Sequence, residues 1–318
     1  MRIAVIGGSG YIGTRLAAAL ARGGHDVRVY ATSTGRLDPA SVAPLDVRDA
    51  DALARALAGA DCAINLAAPA PDAPGAAPHD AISVGGAIHL ARAADANDVR
   101  RLVFLSTVAV YGLDRPLARE TAPLRPFDDY GRGKARAEAI YTQWAAADAR
   151  RALTIVRPSA VFGEGGGGNV CALIEHLRRG RFVMAGDGGN RKSIAYVDNL
   201  VDFVVARLAD APGPQVYNYA DKPDLTTREL IAKIRALLPE PGRAPARVPY
   251  ALALAGGYAG DALAALVRRP FALSGARVRK FRAETTVATD AALATGFVAR
   301  VTLDDALART VASVVAKA

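Results

Sequence analysis

A chain of 318 residues allows one large domain or two modest ones, with ample length for a buried core. Apolar residues make up 51% and charged residues 22%, a composition that excludes a disordered chain. The net charge of +9 suits anionic partners, but the basic residues are scattered without a dense run, which argues against nucleic acid and fits a small anion such as a nucleotide.

In chain order, an apolar run over 2–6 predicts a strand, helical periodicity covers 11–22, and alternation over 26–31 predicts a second strand. A brief strand is expected at 44–47, a helix at 50–57 and an apolar strand at 62–67. After a proline-rich loop come a helix at 81–96, a buried strand at 102–107, a long helix at 130–147 and a strand at 153–158. Strands separated by helices imply parallel βαβ units. The expected fold class is therefore α/β, a Rossmann-type doubly wound parallel sheet with right-handed crossovers. After Phe162 the pattern loosens into four successive glycines, Gly165 to Gly168, then helices, short strands and proline-rich loops. The expected organisation is a dinucleotide-binding domain over 1–165 and a smaller, mostly helical substrate lobe over 166–318. A strand near 215–220 can return to the sheet, and 239–249 reads as an exposed connector.

The opening residues turn glycine-rich after four apolar positions, too short a run for a secretory signal. Segment 250–267 is the candidate for a membrane span. It is largely Ala, Gly and Leu, Asp261 interrupts it, and a packed helix pair is expected instead. Cys62 and Cys171 are expected as buried free thiols, which fits a reducing compartment. The four histidines show no ligand-like spacing, so no metal is expected. The chain reads as soluble and cytoplasmic, with no membrane partner.

Gly7-Gly8-Ser9-Gly10-Tyr11-Ile12-Gly13 follows a strand and opens a helix. Glycine lets the backbone turn tightly and lets a pyrophosphate reach peptide N–H groups; the helix N-terminus adds orphan donors and partial positive charge. Gly7, Gly10, Tyr11, Ile12 and Gly13 are thus cofactor candidates. A glycine turn without a ligand is the plainer alternative, and the strand before and helix after argue against it. The second strand ends at Tyr30-Ala31-Thr32-Ser33. NAD-selective folds commonly place an acid there, on the ribose 2′-hydroxyl, and Ala31 holds that place. Thr32, Ser33 and Arg36 can bind a 2′-phosphate, so the cofactor reading is NAD(P), leaning to NADP. Arg36 can equally be a solvated loop charge. Asp46 can accept a hydrogen bond from the adenine amino group or cap a helix.

Tyr130 and Lys134 begin a helix four residues apart, hence on one face. A tyrosine titrates at about 10 in water. A nearby ammonium favours the phenolate, so a lowered value is expected, and Tyr130 can then shuttle a proton near neutral pH. Lys134 can also hold the nicotinamide ribose. Such pairs are common by chance, and Thr107 strengthens this one. It ends the strand 102–107 at the sheet edge expected to face the cofactor, where its hydroxyl can bond the same substrate oxygen. Ser106 is a rival, but strand neighbours point to opposite faces.

Gly7, Gly10 and Gly13, Thr107 with Val110-Tyr111-Gly112, Tyr130 with Lys134, and Arg157-Pro158 with Val161-Phe162-Gly163 resemble, in order and spacing, the extended short-chain dehydrogenase/reductase family, and within it the nucleotide-sugar epimerase/dehydratase branch. The resemblance implies a Rossmann domain, a bound nicotinamide cofactor and a catalytic set of Thr107, Tyr130 and Lys134. It places Asp46 and Val47 in the adenine pocket, and Ala67 and Ala68 at a strand end beside the pyrophosphate. It puts Lys192, with Arg191 adjacent, where relatives often hold a diphosphate with arginine; lysine keeps the charge but loses the bidentate fork. Gly168-Asn169-Val170 resembles a segment that frames the nucleotide, which makes Asn169 a substrate candidate, though a flexible loop opening a helix reads the same way. Segments 217–219 and 226–230 resemble a scaffold strand and a helix start. A homodimer is implied through the helices after Ser83 and Tyr130, where Ala135, Ala139 and Ala146 allow close packing.

Ala160 stands where some epimerases carry a diphosphate-binding asparagine, Glu164 replaces a common proline and Ser83 an asparagine; these departures bear on the substrate, not the fold. Sugar 4,6-dehydratases of the branch need an Asp-Glu pair after the threonine. Val108 and Ala109 can do no proton chemistry, which rejects dehydration. The leading expectation is hydride transfer at a ring carbon, carbon 4, of a nucleotide-linked sugar, as 4-keto reductase or 4-epimerase. The missing acid at Ala31 tilts this to the reductase, since NADPH is the usual reductant. The runner-up is a reductase of a steroid-like or other small ketone, against which Arg191, Lys192, Arg277 and Lys280 argue mildly, since each reads more commonly as a solvated surface charge. A non-catalytic dinucleotide sensor would typically lack the Tyr/Lys pair.

Overall fold

The computed structural model describes residues 1–35, 37–38, 41–69, 76–240, 243–267 and 274–317. The first half contains β1 (Arg2–Ile6), α1 (Tyr11–Arg22), β2 (Asp26–Ala31), β3 (Val42–Pro44), α2 (Ala50–Ala56), β4 (Cys62–Asn65), α3 (Ala76–His79), α4 (Gly86–Ala96), β5 (Arg101–Leu105), α5 (Asp129–Ala146) and β6 (Ala152–Pro158). The second half contains β7 (Ala160–Phe162), α6 (Gly168–Arg178), β8 (Val183–Ala185), β9 (Arg191–Tyr196), α7 (Val197–Ala206), β10 (Gly213–Tyr219), β11 (Asp221–Thr226), α8 (Thr227–Leu237), β12 (Ala246–Val248), α9 (Tyr250–Val267), α10 (Gly275–Arg282), α11 (Asp290–Ala294) and α12 (Leu303–Val315).

Seven strands form one parallel sheet in the order β10-β6-β5-β4-β1-β2-β3. Alternate residues of β1 feed two cores. Ala4 and Ile6 pack with Leu53, Leu90, Phe104 and Tyr141 beneath α2, α4 and α5. Ile3 and Val5 pack with Leu16, Leu20, Leu200 and Phe203 beneath α1 and α7. Burial on both faces explains why β1 and β4 are apolar apart from Arg2 and Asn65 at one end of each. The strand order reverses between β1 and β4. That crevice, outside the strands' carboxyl ends, is where such sheets bind ligands.

The expected strand near 215–220 does return, as β10 paired parallel with β6. The second half adds a three-stranded sheet, β11-β9-β7, and a two-stranded one, β12-β8, around a third core of Phe162, Ile174, Tyr196, Leu230 and Leu307.

Several boundaries move for local reasons. The strand expected at 44–47 lies at Val42–Pro44, because the Asp46 carboxylate accepts the Arg48 N–H and turns the chain. The strand expected at 62–67 stops at Asn65, whose side chain takes the Ala67 N–H. The helix expected at 81–96 begins earlier, as α3, a π-helical turn over Asp80–Gly85, and α4. Part of the connector at 239–249 is β12, which pairs parallel with β8. Segment 250–267 is one helix, α9, and its packing partner is α10: a Cβ on Gly257 would lie 2.8 Å from the Gly275 nitrogen. No helix among the described residues is long and apolar enough to cross a membrane. Cys62 and Cys171 are buried free thiols.

Candidate active site

Gly7 leaves β1 with φ 76°, and its N–H donates to the Tyr30 carbonyl at 2.7 Å. A Cβ there would sit 2.7 Å from the Ala67 nitrogen, so glycine is what lets the ends of β1 and β4 close on each other. A Cβ on Gly13 would lie 2.6 Å from the Gly8 backbone. Gly10 is the N-cap of α1 and offers no side chain to the first amides, and the first turn carries no acid. Those donors keep their capacity for an anion. The Tyr11 hydroxyl is buried without a hydrogen-bond partner among the described residues. That hydroxyl lies against Gly163 and Gly166, beyond β7. The glycine cradle and the uncapped helix start together fit a dinucleotide. Ile12, half-buried, packs into the cores flanking this turn.

At the far end of the crevice Ala31 is buried, while Thr32 and Ser33 are exposed at the tip of β2; Arg36 lies outside the described residues. Arg48 grips both oxygens of Asp46 and holds its carboxyl below the usual range. The helix cap is Asp49 instead, which accepts the Ala52 N–H. Val47 is buried, and a Cβ on Gly86 would lie 2.8 Å from its side chain. Ala67 and Ala68 follow β4, the first half-buried and the second exposed.

β5 delivers Thr107 to the same edge of the sheet. Its hydroxyl accepts the Ala109 N–H at 3.1 Å, starting a 3-10 turn over Val108–Tyr111, and sits close enough to the Tyr130 hydroxyl to favour its phenolate. Ser106 turns the other way and donates to Glu138. Asp128 caps α5 by accepting the Gly131 N–H at 2.8 Å, which sets Tyr130 in the first turn and Lys134 one turn on. Lys134 is 2% exposed, donates to the Leu105 carbonyl at 2.8 Å and lies 4.6 Å from the centre of the Phe104 ring.

The expected lowering of the tyrosine is not what the geometry gives. Burial, helped by the Asp128 charge, pushes Tyr130 up to about 12, against a smaller opposing effect of Thr107. Burial likewise brings Lys134 down to about 7, opposed by the Glu138 charge. The ammonium is spent on a backbone carbonyl, so it does not hold the phenolate.

Behind this pair lies a buried ion pair that motif reading does not supply. Glu138 and Arg157 meet at 2.6 Å with side chains 5% and 6% exposed. Arg157 also donates to the Tyr111 hydroxyl at 2.6 Å, which donates to Asn218 at 2.7 Å. The network ties α5, β6, β10 and the turn after Thr107 into one block. Its signal was the four-residue spacing of Tyr130, Lys134 and Glu138. His79, 1% exposed, sets its ring edge-on to Tyr130 at 6.1 Å and was likewise missed.

The substrate candidates are less tightly gathered. Asn169 is exposed in the first turn of α6. Arg191 is exposed and donates to the Asp224 carbonyl at 2.9 Å. Lys192 reaches the carbonyls of Lys280 and Ala283 at 2.9 and 2.5 Å, and burial brings it down to about 8. Lys280 itself pairs with Asp128 at 2.5 Å, which brings α10 to the start of the Tyr130 helix.

A seven-stranded sheet with its switch point at a glycine loop defines a dinucleotide-dependent enzyme of the extended short-chain dehydrogenase type. The profile of the NAD dependent epimerase/dehydratase family matches residues 3–220, and the chain belongs to that family. It is 38% identical over 97% of its length, and 93% of the relative's, to N-acetyl-alpha-D-glucosaminyl-diphospho-ditrans,octacis-undecaprenol 4-epimerase of Escherichia coli O157:H7. It is 31% identical over 76% of its length, and 77% of the relative's, to 2-alkyl-3-oxoalkanoate reductase of Stenotrophomonas maltophilia. Thermus thermophilus UDP-glucose 4-epimerase in complex with NAD shares the fold, with TM-score 0.78, 22% identity and all of both chains covered.

Proposed function

We propose that the chain epimerises carbon 4 of a sugar carried on a diphosphate, with a nicotinamide dinucleotide reduced and reoxidised within one turnover. The observation that carries this is the Thr107–Tyr130 hydroxyl pair at the sheet edge that also bears the glycine loop. The similarity to the E. coli enzyme supports both the ring carbon and the diphosphate. In this reading the carrier beyond the diphosphate is a nucleoside or a polyprenyl chain.

The dinucleotide, when bound, supplies the hydride acceptor and then the donor. Gly7, Gly10, Tyr11, Ile12 and Gly13 hold its pyrophosphate with Ala67 and Ala68, and Asp46 and Val47 border the adenine. Tyr130 removes the proton of the 4-hydroxyl as the 4-keto sugar forms, and returns it once the sugar presents its other face. Thr107 holds the same oxygen, and Lys134 holds the ribose. Lys192, Arg191 and Asn169 face the diphosphate side. The carboxylate-free end of β2, with Thr32 and Ser33 exposed, supports acceptance of NADP. A homodimer through α4 and α5 completes the reading, with Ile88 and Ala139 exposed on those helices.

The similarity to the Stenotrophomonas reductase favours a second reading, reduction of a small ketone. Incubation with UDP-N-acetylglucosamine, and separately with polyprenyl-diphosphate N-acetylglucosamine in detergent, separates the two. Formation of the C4 epimer without net cofactor consumption is expected. No conversion of either sugar, with stoichiometric NADPH oxidation on a small ketone, would replace the epimerase with the reductase.

A further inference from the structure

α9 exposes an apolar surface that neither the fold nor the active site uses. Its 18 residues include one charged side chain, Asp261, which turns to α10 and accepts the Gly275 N–H at 2.9 Å. Leu252, Tyr258, Leu263 and Val267 are 64%, 53%, 45% and 46% exposed, and among the described residues of α9 only Gly257 is buried. A helix on a soluble surface ordinarily shows polar residues outward, as α8 does with Arg228 and Glu229. A contiguous exposed apolar face marks an interaction site.

The setting of this face is basic. α10 carries Arg277, Arg279, Lys280 and Arg282, all exposed, and no acid. Arg243 and Arg247 are exposed on the approach to α9. An apolar helix flanked by cations suits the boundary of an anionic bilayer, and one that cannot span lies along it. α10 also meets the start of the helix that carries Tyr130. Arg279 lies over the Phe127 ring at 4.8 Å, and Lys280 pairs with Asp128, two residues before Tyr130.

We propose that α9 and α10 seat the protein on an anionic phospholipid surface, so that the sugar diphosphate reaches Tyr130 on a membrane-embedded polyprenyl carrier. The choice of carrier rests on the sugar-diphosphate reading above; the docking surface does not. The test is co-sedimentation of the full chain with vesicles of phosphatidylcholine alone or with added phosphatidylglycerol. Binding to the anionic vesicles is expected, weakened by about tenfold without the anionic lipid or in high salt. Leu252→Glu with Leu263→Glu is expected to lower vesicle binding by about tenfold or more while turnover of a soluble nucleotide-linked sugar is kept. Absence of binding to either vesicle, or equal binding by the double variant, would overturn the proposal. So would light scattering in which the double variant turns a dimer into a monomer while the parent ignores vesicles, since α9 would then join two copies. Vesicle binding needs no substrate, so failure of the epimerase reading registers separately, as loss of turnover on every sugar diphosphate.

Discussion

Tyr130 and Lys134 are displaced in opposite directions by the same cause. Burial raises the phenol to about 12 and lowers the ammonium to about 7, so Tyr130 keeps its proton at neutral pH and needs added positive charge beside it to release it. Tyr130→Phe removes the proton carrier and leaves the glycine loop intact. It is expected to lower kcat by about 10²–10⁴-fold with dinucleotide affinity nearly unchanged, as steady-state kinetics and titration would show. Lys134 gives a stability signature of its own. Its folded value lies below the unfolded one, so between the two the unfolded chain binds the extra proton. The penalty is full below about 7 and fades as pH rises, so apo stability gains with pH above about 7. Lys134→Met should flatten that slope in thermal melts, and an unchanged slope would contradict the assignment. Glu138→Gln strands the buried Arg157 charge and should cost roughly 3 kcal/mol in urea unfolding. Thr107, Tyr130 and Lys134 were legible because each sits in a local motif. The Glu138–Arg157 pair was not, because it depends on how α5 crosses β6, and His79 was not, because it enters from a helix start hidden behind a proline-rich loop.

Among elements, α1 is the one whose sequence leaves least choice. A methyl on Gly13 would meet the Gly8 backbone at 2.6 Å, which is too close to absorb without moving the helix start. Gly13→Ala should therefore weaken dinucleotide binding by about tenfold or more, measured calorimetrically, while the far-UV spectrum keeps its helical content. α8 was legible as a helix start at 226–230, and the structure adds that Thr226 and Glu229 form a reciprocal capping box there. The misplaced ends of β3 and β4 share a cause. Asp46 and Asn65 satisfy nearby backbone amides with their side chains, so hydrogen bonding ends each strand before the apolar pattern does. β12 escaped notice because three residues are too few for alternation to register.

At the scale of the whole molecule, the parallel sheet and its switch point follow from βαβ alternation, and they put Gly7, Ala67 and Thr107 on one edge. The placement of α10 against the start of α5 does not follow from any periodicity, since it joins segments about 150 residues apart in sequence through side-chain contacts such as Lys280 with Asp128. The claim that unites these levels is reversible hydride transfer at carbon 4. It is tested most directly with a sugar diphosphate deuterated at carbon 4, turned over in ordinary water with the dinucleotide present. Hydride removal and return within one site predicts an epimer that retains its deuterium, with no net change in the cofactor. Washout of the label into solvent would show proton abstraction at that carbon and contradict the account.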